Sequence, residues 1–175
     1  MPCAVGARSP SGADTYLSPS RPVPTGKAPG MQVKLLEEHG SEKVYAVIFR
    51  KSDEALSGMT DFAVKYGVGD AHFTGIGAVS SATVAWFDLG RKLYHPIPVT
   101  EQVEVLSMVG DIAAYQGKPI VHTHVVLGKE GGSTVGGHAF ELHVNPTLEV
   151  FVTTDARLLG KRQDDSGLKL IDPTQ

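Results

Sequence analysis

The feature that most constrains the fold is that a single segment carries a helical pattern, whereas strand patterns cover most of the remaining chain. Apolar residues recur at helical spacing from Leu56 to Tyr66, Gly67 follows as a stop signal, and Ser52 or Asp53 is predicted to cap the start. Strand patterns cover residues 32–36, 44–49, 71–79, 82–87, 99–109, 120–128, 133–144 and 148–154. One helix among many strands predicts an α+β domain, in which a mostly antiparallel sheet carries the one main helix on one face.

The two ends of the chain differ in composition from the middle. Residues 1–30 hold six of the 11 prolines, at positions 2, 10, 19, 22, 24 and 29, and few large apolar side chains. Such a segment buries too little apolar surface to offset its conformational entropy, which predicts disorder. The periodic pattern begins at Met31, so we expect one domain over residues 31–172. We hypothesise that the segment before Met31 is either an extension of this domain or the result of a misplaced start. The polar tail from Leu158 to Leu170 fits either a short closing hairpin or a surface loop.

Charge and composition narrow the function classes. The formal net charge of -3 removes the simplest argument for nucleic-acid binding, which favours a basic domain. The single cysteine, Cys3, excludes an intramolecular disulfide framework and any multi-cysteine metal site. No apolar run approaches the roughly 18 residues that span a bilayer, and the N-terminus lacks a secretory apolar stretch. The cytoplasm is therefore the expected compartment, with no membrane contact.

The residues best suited to form a binding or catalytic site are His122, His124 and His138. Residues two apart on a strand point to the same face, so His122 and His124 project together. His138 follows on the next predicted strand, after a glycine-rich turn. The length of that turn decides whether all three imidazoles share a face.

A three-residue turn, 129–131, would bring the third histidine to the first two. With Gly131 in the left-handed conformation, this turn would set His138 directly opposite His122. A turn of two or four residues would move His138 to the other face. The site therefore requires an odd turn or a β-bulge, which Gly136–Gly137 could supply.

Three neutral imidazoles on one face suit a shared divalent metal ion. They leave a tetrahedral ion one open position, as in catalytic zinc sites. Zinc is the first expectation because imidazole suits it and no thiolate is available, with nickel, copper and iron as alternatives. The alternative without a metal is a set of half-buried structural histidines that backbone carbonyls or water satisfy.

The other motifs give weaker evidence for a binding or catalytic site. Gly75 and Gly77 hint at a dinucleotide fingerprint, but the third glycine is missing and a strand follows instead of a helix. We interpret both glycines as positions of close backbone approach or a bulge. The carboxylates that could act as a base beside a metal are Glu101, Glu104 and Glu141, and strand parity points Glu141 away from the histidines.

Five motifs together resemble the PPC (plants-and-prokaryotes-conserved) domain over about residues 31–172. They are Gly75–Ser80, Glu104–Gly110, His122–Gly128, Val135–His138 and Glu149–Val152. The resemblance implies a compact α+β fold and a homotrimer. In prokaryotic relatives the His-x-His and Gly-Gly-His segments look like a metal site, and this match falls on the three histidines. The AT-hook that precedes the domain in plants and supplies most of the DNA affinity has no counterpart in this chain.

Three hypotheses about function follow from these residues and the resemblance. The first is a trimeric assembly module with a DNA-associated or regulatory role, acting on DNA or on a regulatory protein. The second is a metal-dependent enzyme or small-molecule binder, in which a zinc-bound water becomes hydroxide near neutral pH. The third is a metal that fixes the hairpin or a subunit interface.

Overall fold

The computed structural model describes residues 15–155 and 159–174. Cys3 and Leu158 lie outside this part of the chain. Within it there are one helix and nine strands, whose bounds are α1 Ala55–Tyr66, β1 Gln32–His39, β2 Glu42–Arg50, β3 Asp70–Asp88, β4 Leu93–Val99, β5 Val103–Tyr115, β6 Lys118–Gly128, β7 Thr134–Thr154, β8 Gly160–Gln163 and β9 Lys169–Asp172. The predicted α+β class, with one helix and a mostly antiparallel sheet, is confirmed.

All nine strands belong to one sheet, in which β3 and β7 are the longest members. The order is β1-β2-β7-β3-β5-β8-β9, with β4 paired to β3 and β6 paired to both β5 and β7. Every ladder is antiparallel except the short parallel contact between β5 and β8. Because β3, β5, β6 and β7 pair in a closed cycle, β7 lies between β6 and β3 along part of its length.

Several predicted strand boundaries are wrong. The segments 71–79 and 82–87 form the single strand β3, and the segments 133–144 and 148–154 form β7. The polar and proline-containing breaks between these segments coincide with register shifts in the β3–β7 ladder and not with turns. The segment 99–109 is instead divided between β4 and β5.

The helix covers one face of the sheet, but its first residue is capped differently from the prediction. The carboxylate of Glu54 accepts hydrogen bonds from the backbone N–H groups of Leu56 (3.1 Å) and Ser57 (2.7 Å), which makes Glu54 the N-cap. Ser52 has a left-handed φ of 79°, and Asp53 accepts instead from the backbone of the preceding turn. The C-terminal prediction is confirmed, because Gly67 ends the helix in the left-handed conformation.

The core lies between this helix and the sheet. Met59 and Phe62 of α1 are fully buried, and Phe62 packs edge-on against Tyr45 of β2 at 5.3 Å. Other fully buried side chains come from the inner faces of the central strands, among them Phe49, Phe73, Met108, Ile112, Leu127, Leu142 and Leu148. No helix within the described residues is long and apolar enough to cross a membrane.

The two ends of the chain make more defined contacts than their composition predicts. Residues 15–30, part of the segment expected to be disordered, lie against the domain, and residues 1–14 lie outside the described part. Leu17 and Tyr94 exchange two backbone hydrogen bonds of 2.9 Å, and Gly30 N–H donates to Asp53 at 2.8 Å. This segment is thus held by backbone hydrogen bonds and by polar side-chain contacts such as the Arg21–Glu141 ion pair, which its apolar content does not reveal. In the tail, β8 and β9 form a hairpin, the first of the two alternatives.

Candidate metal centre

The turn between β6 and β7 differs in length from the prediction, but it still places His138 on the same sheet face as His122 and His124. Gly128 pairs with Thr134 across a five-residue loop, and His138 pairs with His124 instead of His122. The loop is closed by a hydrogen bond from Lys129 N–H to the Ser133 carbonyl (2.9 Å), and the left-handed glycine is Gly132, with a φ of 80°, not Gly131. Since three and five are both odd, the three histidines still lie on one face.

The structure brings His122, His124 and His138 together, and we call them the histidine cluster. Their ring centroids lie 5.1, 5.3 and 5.5 Å apart, so they form a nearly equilateral triangle. One nitrogen from each ring lies within 4.8 Å of the other two. His124 is exposed, and the other two are partly buried. The cluster could therefore hold a metal ion.

Aromatic side chains enclose the most buried member of the cluster. Tyr94 of β4 stacks on the His138 ring at 4.7 Å, and Phe140 meets it edge-on at 5.1 Å. Burial, followed by the positive charge that His122 and His124 can carry, lowers the pKa of His138 to about 3. Burial and His122 also lower the pKa of His124. Both rings are thus neutral at pH 7, the form in which imidazole binds metals.

One unsatisfied atom supports a fit between the cluster and a metal. His138 Nδ1 is buried and has no hydrogen-bond partner among the described residues. A buried nitrogen without a partner is destabilising, by about 1–3 kcal/mol in typical cases. A metal ion or an ordered water bound at this nitrogen would remove this cost.

A carboxylate that the sequence analysis did not single out contacts the cluster. Asp111 Oδ2 of β5 lies 3.2 Å from His122 Nδ1, and Asp111 Oδ1 lies 2.5 Å from Lys161 Nζ of β8. Although burial alone would raise it, the pKa of the Asp111 carboxyl is lowered by its interactions with His122 and Lys161. The signal for this pairing is the two-residue turn Gln116–Gly117, whose residues both have positive φ and which sets Asp111 opposite His122. The predicted strand ended at residue 109, so this pairing was missed.

None of the three carboxylates considered from the sequence hydrogen-bonds a cluster histidine within the described residues. Glu104 is exposed and pairs with Gly128, four residues along β6 from His124, which is roughly 13 Å at about 3.3 Å per residue. Glu101 pairs with Lys129 at 2.8 Å, and Glu141 pairs with Arg21 at 3.5 Å. A role for Glu104 beside the metal therefore has no support in the geometry.

The glycines next to His138 allow close approach of the neighbouring strands. A Cβ atom at Gly136 would lie 2.6 Å from the Val125 carbonyl oxygen of β6, and one at Gly137 would lie 2.5 Å from the Ala85 carbonyl oxygen of β3. Any other residue there would push β7 away from the two strands that frame the cluster. Gly77 likewise leaves no room for a Cβ atom beside β7, where it would clash with the Thr147 carbonyl oxygen, and a Cβ atom at Gly75 would make tight contacts with Glu149 and Val150.

The cluster opens onto the sheet face that does not carry the helix, which we call the outer face. A cleft of about 220 Å³ adjoins His124 there, lined by Ser107, Val109, Val126 and Gly136 among others. Across neighbouring strands, the outer face exposes Ile76 (61%), Val109 (49%), Val126 (43%) and Phe151 (48%). These apolar side chains form an exposed band that ends at His124.

One covering helix, a mostly antiparallel sheet and three clustered histidines define a small α+β domain with a candidate metal centre. The family model of the Plants and Prokaryotes Conserved (PCC) domain matches residues 36–155. The chain belongs to this family, the PPC domain that its motifs resemble.

Three solved structures are similar to this chain over most of its length. The PPC protein of Pyrococcus horikoshii is 27% identical, with a TM-score of 0.71 and coverage of 82% of this chain and 96% of that one. A metal-containing protein from Archaeoglobus fulgidus is 28% identical, with a TM-score of 0.69 and coverage of 81% and 97%. A candidate DNA-binding protein from Ralstonia eutropha JMP134 is 28% identical, with a TM-score of 0.71 and coverage of 79% and 95%. No curated protein matches the chain.

Proposed function

We propose that the protein is a homotrimeric PCC-domain module that binds a divalent metal ion, zinc first, through His122, His124 and His138. The observation that carries the proposal is the approach of three ligand nitrogens to within 4.8 Å of one another. The lowered pKa values of His138 and His124 support it, because deprotonated imidazoles are available to a metal at pH 7. The likeness to a metal-containing protein from Archaeoglobus fulgidus agrees with it.

The homotrimer is supported by the outer face. Exposed apolar side chains that are contiguous across several strands are typical of an association surface. Ile76, Val109, Val126 and Phe151 form such a band, and a second copy of the chain would bury it. The single cysteine leaves no intramolecular disulfide to form, which agrees with the cytoplasm as the compartment.

A DNA-associated or regulatory role is the function that we assign to this module. The likeness to a candidate DNA-binding protein from Ralstonia eutropha supports the association with DNA. The net charge of -3 favours contacts through a partner protein over extensive phosphate contacts. A gel-shift titration at low and high salt tests direct binding. Affinity that falls steeply with salt would indicate phosphate contacts, and no shift at low salt would refute direct DNA binding.

A second candidate function is a zinc-dependent reaction on a small molecule. The observation that favours it is the cleft of about 220 Å³ beside His124, into which an open metal position could face. A substrate-class screen with and without chelator tests this function. Turnover that persists after chelation would remove the metal from the mechanism.

The metal itself is tested by elemental mass spectrometry on protein purified without an affinity tag. We expect near-stoichiometric zinc in the wild type and none in the double variant His122→Ala/His138→Ala. His72→Ala, an exposed histidine paired with Asp155 outside the cluster, is the matched control and should retain the metal. Equal metal in the wild type and the double variant, or none in either, would refute the proposed site.

A further inference from the structure

A buried lysine lies beside the histidine cluster. The side chain of Lys161 is 1% exposed, and its Nζ lies 2.5 Å from Asp111 Oδ1. A buried ammonium is strongly destabilising unless a counter-charge accompanies it. Asp111 supplies that counter-charge, so the lysine and the carboxylate hold each other in place.

The lysine reaches this position because the C-terminal hairpin, β8 and β9, docks on β5. Gly160 of β8 pairs in parallel with Ala114, and Ala114 N–H donates to the Leu159 carbonyl at 3.2 Å. These backbone contacts fix the start of β8, and the next residue, Lys161, turns its side chain into the protein. The hairpin thus places the charge of Lys161 beside Asp111, three residues along β5 from Ala114, where the hairpin pairs with the sheet.

The second oxygen of the same carboxylate faces a cluster histidine. Asp111 Oδ2 lies 3.2 Å from His122 Nδ1. An ionised carboxylate only accepts hydrogen bonds, so the contact places the proton of His122 on Nδ1. The lone pair of Nε2 is then free for a metal ion. A carboxylate that orients a histidine in this way raises its basicity as a ligand.

We propose that Asp111 and Lys161 are positioning residues of the metal centre, in which Lys161 fixes the Asp111 carboxylate and Asp111 fixes the ring and tautomer of His122. The inference rests on the proposed metal-binding function. Asp111 is 27% exposed, so without an anchor its carboxylate could rotate towards water. The buried ammonium engages one oxygen and leaves the other directed at His122. The C-terminal hairpin therefore contributes to metal affinity without contacting the metal.

A double-mutant cycle tests this chain of contacts. The zinc affinity of Asp111→Asn, Lys161→Met and the double variant is measured by competition with a chromogenic chelator. Loss of the orienting carboxylate should weaken zinc binding roughly 10–100-fold. Lys161→Met should weaken it in the same direction, and should add little in the Asp111→Asn background, because the lysine acts through Asp111. The visible absorption of the Co²⁺-substituted protein should change with Lys161→Met as the ligand geometry relaxes.

A lysine of the same hairpin provides the control. Lys169 lies over the Tyr115 ring at 5.0 Å, so Lys169→Met should retain wild-type zinc affinity and the wild-type Co²⁺ spectrum. Far-UV circular dichroism of the metal-free variants establishes folding. If Lys161→Met does not fold, Lys161→Gln, which removes the charge but keeps an N–H donor, replaces it in the cycle with the same expectation.

The outcomes separate this inference from the proposed function. No zinc binding by the wild type would overturn the metal site, and this inference with it. Wild-type affinity in Lys161→Met, with zinc bound at the cluster, would overturn the positioning role alone. Losses from the two single variants that add up in the double variant would show that Lys161 does not act through Asp111.

Discussion

The strongest test of the site's electrostatics is the stability of the metal-free protein in acid. Burial and the neighbouring histidines lower the pKa of His138 from 6.5 to about 3 in the folded state. Between these two values the unfolded chain binds a proton that the native protein does not, so stability rises with pH across this window. The contribution is complete above about pH 7 and is lost progressively as the pH falls from 6.5 towards 3.

The loss of free energy of unfolding depends on how far the pH lies below 6.5, the pKa of histidine in the unfolded chain. Each unit of pKa difference corresponds to about 1.36 kcal/mol, so lowering the pH from 8 to 5 should cost the native state about 2 kcal/mol through His138 alone. This loss is nearly independent of the folded-state pKa once that value lies below about 4. His124, whose pKa is also lowered, adds to the loss in the same direction.

The assay is urea denaturation at pH 8 and pH 5, in the presence of chelator, for the wild type and for His138→Gln. Glutamine does not titrate, so the variant should lose about 2 kcal/mol less than the wild type over this range. His39→Gln, which changes an exposed histidine on β1, should lose as much as the wild type. Equal pH dependence for the wild type and His138→Gln would refute the desolvation of this ring.

Three further predictions concern the cap, the N-terminal segment and the outer face. Glu54→Ala should lower the free energy of unfolding by about 3 kcal/mol, because three backbone N–H groups lose their acceptor. Urea denaturation measures this loss, and the control variant Glu130→Ala, at an exposed position, should change the free energy of unfolding little. A chain that begins at Met31 should be less stable than the full chain by about 2 kcal/mol, because four hydrogen bonds between residues 26–30 and the helix region are lost. An equal urea midpoint for the two chains would show that these hydrogen bonds do not stabilise the domain. Ile76→Lys should convert the proposed homotrimer to monomer in light scattering, whereas Val64→Lys, on an equally exposed helix position, should leave the assembly intact. A trimeric Ile76→Lys variant would place the interface elsewhere.

The limits of the sequence are clearest at the turn between β6 and β7. Strand parity alone puts His122 and His124 on one face, and any odd turn adds His138. Which histidine lies opposite His138 depends on the turn length, and the five-residue turn makes it His124. The glycine-rich stretch 128–132 allows several turns of similar energy, so its composition does not determine the length.

Contacts between distant segments account for the remaining differences. Asp111 meets His122 through the register of the β5–β6 hairpin, and Lys161 meets Asp111 only because the C-terminal hairpin docks on β5. A lysine in a polar tail carries no local sign of burial. The same reasoning applies to residues 15–30, whose contacts with the helix region, with β4 and with β7 include backbone hydrogen bonds and the ion pair of Arg21 with Glu141.

The sequence by itself determined the α+β class, the position of the helix and the shared face of His122 and His124, whereas the odd length of the turn in the structure places His138 on that face as well. These properties depend on periodicity within one segment, which repeats every two residues in a strand and every 3.6 in a helix. The tertiary structure decided which histidine lies opposite His138, which carboxylate contacts His122 and which lysine pairs with that carboxylate. The physical reason is that pairing and docking depend on the summed packing of the whole sheet, which no single segment encodes.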